Sequence, residues 1–276
     1  MKQPRQHIDI PAVLKEKAPN VHFPRFVVRW LERIVHVDEM NRFLVEHTEE
    51  EGFDFARVYL NEGLQCSASL SGEENIPHTE EPLLFVSNHP LGGLDGIILA
   101  LALGEKRNYR LRLIVNDILM FLKQISTIFV PVNKFGRQSR EYARRQEELW
   151  ASDMDIITFP AGKCSRLQHI KGEGFVIKDM EWHKSFIRHA VQYKRNIVPV
   201  HFEGKNSRFF YRLAFWRTLL GIKFNIEQFY LADEMYKGKG KHFTIRVGKP
   251  IPYTTFDQSR SPQEWAEWVK NIVYSL

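Results

Sequence analysis

Two periods of apolar residues succeed each other along the chain. Up to about Leu64 the period is helical: within residues 23–47, Phe26, Val27, Trp30, Leu31, Ile34 and Val35 recur at helical spacing, and residues 53–64 read as further helix. Arg25, Arg29 and Arg33 fall four apart and make a cationic stripe beside that apolar face. Such a helix packs on a core or rests at a lipid interface. From Cys66 onward, short β-rich runs alternate with helical ones. They predict strands at residues 83–87, 111–115, 128–132, 156–159, 197–202, 227–231 and 243–247. Helices are expected between them at 95–103, 118–125, 138–151 and 182–193, and a last one at 262–274 opens with Ser261 and Pro262 as N-cap and first helical residue. This alternation predicts an α/β fold, with a central, largely parallel or mixed sheet flanked by helices. There is no repeat, low-complexity tract or linker. The expected organisation is an N-terminal helical extension over 1–64 and an α/β domain over 65–276.

Composition narrows the picture only a little. With 276 residues, 43% hydrophobic and 26% charged, the chain can bury a substantial core, and wholesale disorder is excluded. Lys plus Arg exceed Asp plus Glu by 39 to 33. That surplus suits an acidic partner: anionic lipid, an acidic carrier protein or nucleic acid. Cys66 and Cys164 stand far apart, with neither a disulfide framework nor metal-ligand spacing, which fits a cytosolic redox setting. Without a signal-like apolar stretch or a run of ~18 apolar residues, the expectation is a soluble or membrane-surface protein.

The candidate chemistry follows the strand at 83–87, in Ser87-Asn88-His89-Pro90-Leu91-Gly92-Gly93-Leu94-Asp95-Gly96. An imidazole can take a proton from a hydroxyl, and a carboxylate behind it fixes its tautomer. An N-capping Asp95 and a plain loop histidine fit the same residues. On a regular helix a six-residue step leaves two side chains roughly 120° apart. His89 and Asp95 therefore meet only across a non-helical turn, which Gly92 and Gly93 permit.

Three loops after predicted strands each join a glycine to two cations. One holds Asn133, Lys134, Gly136 and Arg137; the next holds Gly162, Lys163, Ser165 and Arg166; the third holds Glu203, Gly204, Lys205, Asn206 and Arg208. Singly, each is a solvated basic loop. Together, at the carboxyl ends of strands, they suit one anionic headgroup or phosphate. Residues 208–224 interleave aromatics with cations, as a membrane-interface segment does, or as a buried helix with arginine at its edges does.

Four segments in order resemble the lysophospholipid and glycerolipid acyltransferase family, the relatives of 1-acylglycerol-phosphate acyltransferase. His89 with Asp95 is similar to the family's His-x4-Asp motif, and residues 129–137 to its second motif. Phe159-Pro160-Ala161-Gly162 resembles Phe-Pro-Glu-Gly, and Val198-Pro199-Val200 the fourth motif. The wording is most like a bacterial, hemolysin-like branch that includes enzymes completing ornithine or glycine lipids. The resemblance implies acyl transfer from an acyl carrier protein or coenzyme A thioester to a lyso-lipid hydroxyl. It implies no cofactor, no metal and no acyl-enzyme. His89 would be the general base, Asp95 its orienting partner, and Arg137, Lys163 and Arg166 the cations for the acceptor. Asn88, Asn133, Lys134, Gly162, Ser165, Glu203 and Asn206 complete the expected substrate-binding set. Two departures stand out: five residues rather than four separate His89 from Asp95, and Ala161 replaces the motif glutamate. The second favours a lyso-aminolipid acceptor over lysophosphatidate. The expected location is cytoplasmic, peripheral on the inner face of an anionic membrane, without a specific nucleic-acid partner. The rival readings are a non-enzymatic lipid-binding protein and a hydrolase using Cys164 or Ser165; the latter lacks a Gly-x-Ser-x-Gly elbow.

Overall fold

The computed structural model describes residues 7–17, 20–116, 122–132, 139–222 and 225–276. The first of these fold as helices α1 (Ile10–Lys17), α2 (Arg25–Ile34), α3 (Val37–Glu46) and α4 (Gly52–Val58), the last continued by a π-helical turn over Tyr59–Gly63. The helical spacing over 23–47 is realised as two helices, α2 and α3. His36 breaks it in the left-handed region, with φ 55°. Tertiary contacts hold that break: His36 Nε2 lies 3.1 Å from Asp233 Oδ1, and its ring stacks on Tyr236 with centroids 4.2 Å apart. Met40, Leu44, Phe55, Tyr59 and Leu64 share one apolar core with the sheet residues Leu83 and Phe85.

The chain then runs through β1 (Ser67–Ser71), β2 (Leu83–Ser87), α5 (Leu94–Lys106), β3 (Leu111–Asn116), α6 (Lys123–Ser126), β4 (Phe129–Val132) and α7 (Ser139–Ala151). It continues with β5 (Asp155–Thr158), β6 (Arg166–Ile170), β7 (Gly174–Lys178), α8 (Ser185–Gln192), β8 (Asn196–Glu203) and α9 (Arg208–Leu219). It closes with α10 (Leu231–Lys237), β9 (His242–Val247) and α11 (Pro262–Ser275). Seven strands form one sheet in the order β1-β9-β8-β2-β5-β3-β4, parallel throughout except between β8 and β9. β6 and β7 form a separate antiparallel hairpin. The α/β architecture read from the sequence is thus observed, with a mostly parallel sheet.

β2 is the middle strand, paired to β8 on one side and β5 on the other. Leu83 and Phe85 enter the core shared with α5, while Leu84 and Val86 enter the opposite one with Trp182, α8 and α11. Burial on both faces explains the unbroken apolar run of this strand. At its start, the buried Asp155 accepts from Leu83 N at 2.7 Å and pairs with Arg107 Nε at 2.6 Å. That joins the amino ends of β2 and β5, so the opposite end is free to carry a site.

The strand expected over 227–231 is absent. Ile226–Tyr230 is a 3-10 turn leading into α10, because the Glu227 carboxylate is drawn inward to two arginines. Three strands went unpredicted. β1 is a serine-rich, mostly exposed edge, and β6 and β7 make a half-exposed two-stranded hairpin. Of the helix expected over 118–125, only its end lies within the described residues, as α6. Among the described residues, no helix is long and apolar enough to cross a membrane.

Candidate active site

β2 ends at Ser87, and the next residues turn across the carboxyl end of the sheet. Asn88 prolongs the pairing with β8 by its side chain: its Oδ1 accepts from Phe202 N at 2.7 Å, and its Nδ2 donates to Phe202 O at 2.9 Å. This clasp fixes where His89 leaves the strand. Residues 90–93 do not continue as helix, and α5 begins only at Leu94. Gly92 has φ +85°, and a Cβ there would lie 2.9 Å from Leu231 Cδ2 and 3.2 Å from Cys164 Cβ. Only glycine fits that bend.

The bend closes the six-residue separation. His89 Nδ1 stands 3.0 Å from Asp95 Oδ2, and the same oxygen accepts from Leu91 N at 2.9 Å. Asp95 is fully buried, and its other oxygen accepts from Gly96 N at 2.9 Å. Asp95 is no N-cap: Gly93 occupies that place. Burial opposes charging of Asp95, but the His89 ring and the backbone N–H groups of Leu91 and Gly92 hold its carboxyl below the usual range. An ionised Asp95 only accepts, so Nδ1 is the protonated nitrogen of His89 and Nε2 is the basic one. Burial also opposes an imidazolium at His89, yet the charge and hydrogen bond of Asp95, helped by the charge of Asp179, raise its pKa above the ordinary value. The ring stacks on Phe159 at 4.0 Å, just after β5, and its side chain is 15% exposed. Among the described residues Nε2 has no hydrogen-bond partner. A held, basic, reachable nitrogen is what proton abstraction from a hydroxyl requires.

A second buried carboxylate holds the backbone of His89. Asp179 accepts from His89 N at 3.2 Å, from Ser165 Oγ at 2.6 Å and from Trp182 Nε1 at 2.9 Å. Burial nevertheless keeps its pKa above the usual value. Ser165 N in turn donates to His89 O at 2.7 Å. The β6–β7 hairpin therefore stands with both feet on His89. No local pattern in the sequence marks Asp179; its role depends on a hairpin that returns to the strand it left.

The other candidate residues divide. Asn88 and Ser165 are buried frame, as above, and Asn206 Nδ2 staples the bend by donating to Pro90 O at 3.3 Å. Their side chains support the site from behind. Arg166 is buried as well: it donates to Cys164 O and contacts Cys164 Sγ, each at 2.8 Å, and pairs with Glu227 Oε1 at 3.1 Å. Its charge is committed within the protein. Glu203 is exposed and pairs with Arg246 at 3.1 Å. Gly162, with φ +63°, and Lys163 are exposed, and Lys163 has no ion pair among the described residues. Asn133, Lys134 and Arg137 lie outside the described residues.

For the hydrolase reading, both candidate nucleophiles, Cys164 and Ser165, are buried. Burial pushes the Cys164 thiol up to about 11, despite Arg166 beside it. The Ser165 hydroxyl donates to Asp179, and toward His89 it meets only the backbone carbonyl. Among the described residues, no group of His, Cys, Asp and Glu is arranged to hold a metal ion.

Comparison with known proteins gives the family. Two curated relatives are both lyso-glycine lipid O-acyltransferases. The one from Bacteroides thetaiotaomicron is 47% identical over 271 residues, covering 98% of this chain and 97% of that protein. The one from Phocaeicola vulgatus is also 47% identical over 271 residues, covering 98% and 95%. Among solved structures, the 1-acyl-sn-glycerophosphate acyltransferase PlsC from Thermotoga maritima aligns with a TM-score of 0.45 at 15% identity, over 96% of this chain and 87% of that one. The sequence model of the acyltransferase family matches residues 12–276, and the chain belongs to that family as an acyltransferase.

Proposed function

We propose that the chain moves a fatty acyl group from an acyl carrier protein or coenzyme A thioester to the hydroxyl of a lyso-aminolipid. The observation that carries this reading is the buried contact between His89 Nδ1 and Asp95 Oδ2 at 3.0 Å, which leaves Nε2 basic at the carboxyl end of the middle strand. Nε2 takes the hydroxyl proton as the acceptor oxygen attacks the thioester carbonyl. A carbon–oxygen bond forms, the carbon–sulfur bond breaks, and the leaving thiolate takes the proton back from His89. A thioester is already activated, so no acyl-enzyme is needed.

The acceptor class rests on two supports. Both relatives act, by name, on lyso-glycine lipid and match almost the whole chain. Ala161 is buried where the family motif has glutamate, and exposed Lys163 follows two residues later. A headgroup ending in a carboxylate suits that cation. Arg137, with Asn133 and Lys134, joins Lys163 in this reading. The work is done peripherally, at the inner face of the membrane where a lyso-lipid resides.

The test is lipid mass spectrometry of a strain lacking the native gene, carrying wild type or His89→Ala. A di-acylated aminolipid that returns only with wild type supports the proposal, and the accumulating lyso-lipid names the acceptor. Equal rescue by both versions overturns it in favour of a non-enzymatic lipid-binding role.

A further inference from the structure

α9 buries Phe210, Tyr211 and Ala214 against the protein and still leaves apolar residues on its outer side. On its inner side Arg217, with a side chain 14% exposed, faces the fully buried Glu227 at 2.7 Å. On its outer side Trp216, Leu219 and Leu220 stand 54%, 65% and 70% exposed. Phe209 lies on that same outer face, seven residues before Trp216.

The apolar surface does not stop at α9. Phe175 on β7 is 64% exposed and meets Phe215 edge to face, with centroids 6.2 Å apart. In the other direction Phe209 meets Tyr230 at 5.0 Å, and Tyr230 meets Trp30 of α2 at 5.8 Å. Residues of β7, α9, the 226–230 turn and α2 thus build one continuous apolar face. Scattered apolar side chains are ordinary on a surface, whereas a contiguous row marks a place that is covered in use. Cations border it. Arg25, Arg29 and Arg33 of α2 and Arg208 and Arg212 of α9 are exposed, and none has an ion pair among the described residues. Aromatic and aliphatic side chains rimmed by free guanidinium groups match an anionic bilayer, with rings at headgroup depth and cations among the phosphates.

We propose that the face built by α9, the β6–β7 hairpin and α2 seats the protein on an anionic lipid bilayer. The hairpin also ties this seat to the site, because Ser165 and Asp179 at its two feet hold the backbone of His89. Resting on the acyl-transfer reading, the seat sets His89 beside the surface in which the acceptor lipid lies.

The experiment compares the full chain with its Leu219→Asp/Leu220→Asp variant by co-flotation with phosphatidylcholine vesicles, with and without phosphatidylglycerol. The expected result is that wild type floats with the anionic vesicles, less so in high salt, while the variant's bound fraction falls about tenfold or more. The variant retains turnover on acceptor dispersed as monomers, so loss of docking is told apart from loss of chemistry. If wild type shows no acyl transfer at all, flotation still decides the docking question alone. A second measurement does not depend on how the variant folds. Both natural cysteines are buried, so Leu220→Cys takes a polarity-sensitive fluorophore selectively. Its emission shifts to the blue on adding anionic vesicles, while a label at Val191→Cys on α8 stays in water. The proposal is overturned if wild type does not float, if the variant floats equally, if the label at 220 does not respond, or if the variant loses only binding to acyl carrier protein.

Discussion

His89 and Asp95 touch at 3.0 Å because the chain between them is a bend and not a helix. The contact sets a pH dependence with a definite sign. Burial opposes the imidazolium, but Asp95 raises the pKa of His89, and in the proposed role only the neutral ring can take the proton. The rate therefore falls as the pH drops through an apparent pKa above the ordinary imidazole value of ~6.5. In Asp95→Asn the limb moves to lower pH, and the maximal rate falls roughly 10²- to 10⁴-fold through loss of the correct tautomer. An unshifted limb in a kcat/KM–pH profile would show that Asp95 does not act on the base.

Cys164 sits beside this pair, and the proposed reaction does not use it. Its thiol, pushed up to about 11 by burial, is neutral at physiological pH. Cys164→Ala is expected to keep acyl transfer within a few-fold of wild type and to cost about 1 kcal/mol of stability from the small void it leaves. Rates and melting curves of the purified variant check both parts. A folded variant without activity would reinstate the cysteine as a nucleophile.

The two adjacent glycines separate strain from mere flexibility. Gly92 has φ +85° with Leu231 and Cys164 closing on its Cα, whereas Gly93 has a negative φ and open space where a Cβ would go. Gly92→Ala should cost ~1–3 kcal/mol. By shifting His89 against Asp95 it should lower the rate on the order of 10²-fold. Gly93→Ala should do much less on both counts. Equal effects in a side-by-side melting and rate measurement would mean that the bend is not what brings the pair together.

The parts of this protein that show in its sequence are those whose cause is local. β2 is a run of apolar residues because both of its faces are covered, and α11 opens with a capping box between Ser261 and Glu264. His89 and Asp95 were readable because glycine punctuates the chain between them. The hidden parts have distant causes. Asp179 reaches His89 only after a hairpin has returned, 90 residues along the chain. Arg166 reads as a free headgroup cation until its partner Glu227, 61 residues away, is seen. The stretch 227–231, ending Phe229-Tyr230-Leu231, suggests a strand, and the same buried glutamate turns it into a 3-10 segment and a helix.

That glutamate is also the most exposed to test. Glu227 is fully buried between Arg166, 3.1 Å away, and Arg217 Nε, 2.7 Å away as an ion pair. Two guanidinium groups share one carboxylate, so removing it leaves both cations buried and uncompensated. Glu227→Gln should cost about 3–5 kcal/mol in denaturant unfolding. Replacing all three partners by methionine should recover much of that loss, since the penalty lies in the stranded charges and not in the missing contact. A Glu227→Gln protein that unfolds together with wild type would mean that water or anions already neutralise the two arginines, and that α9 is held by its apolar contacts alone.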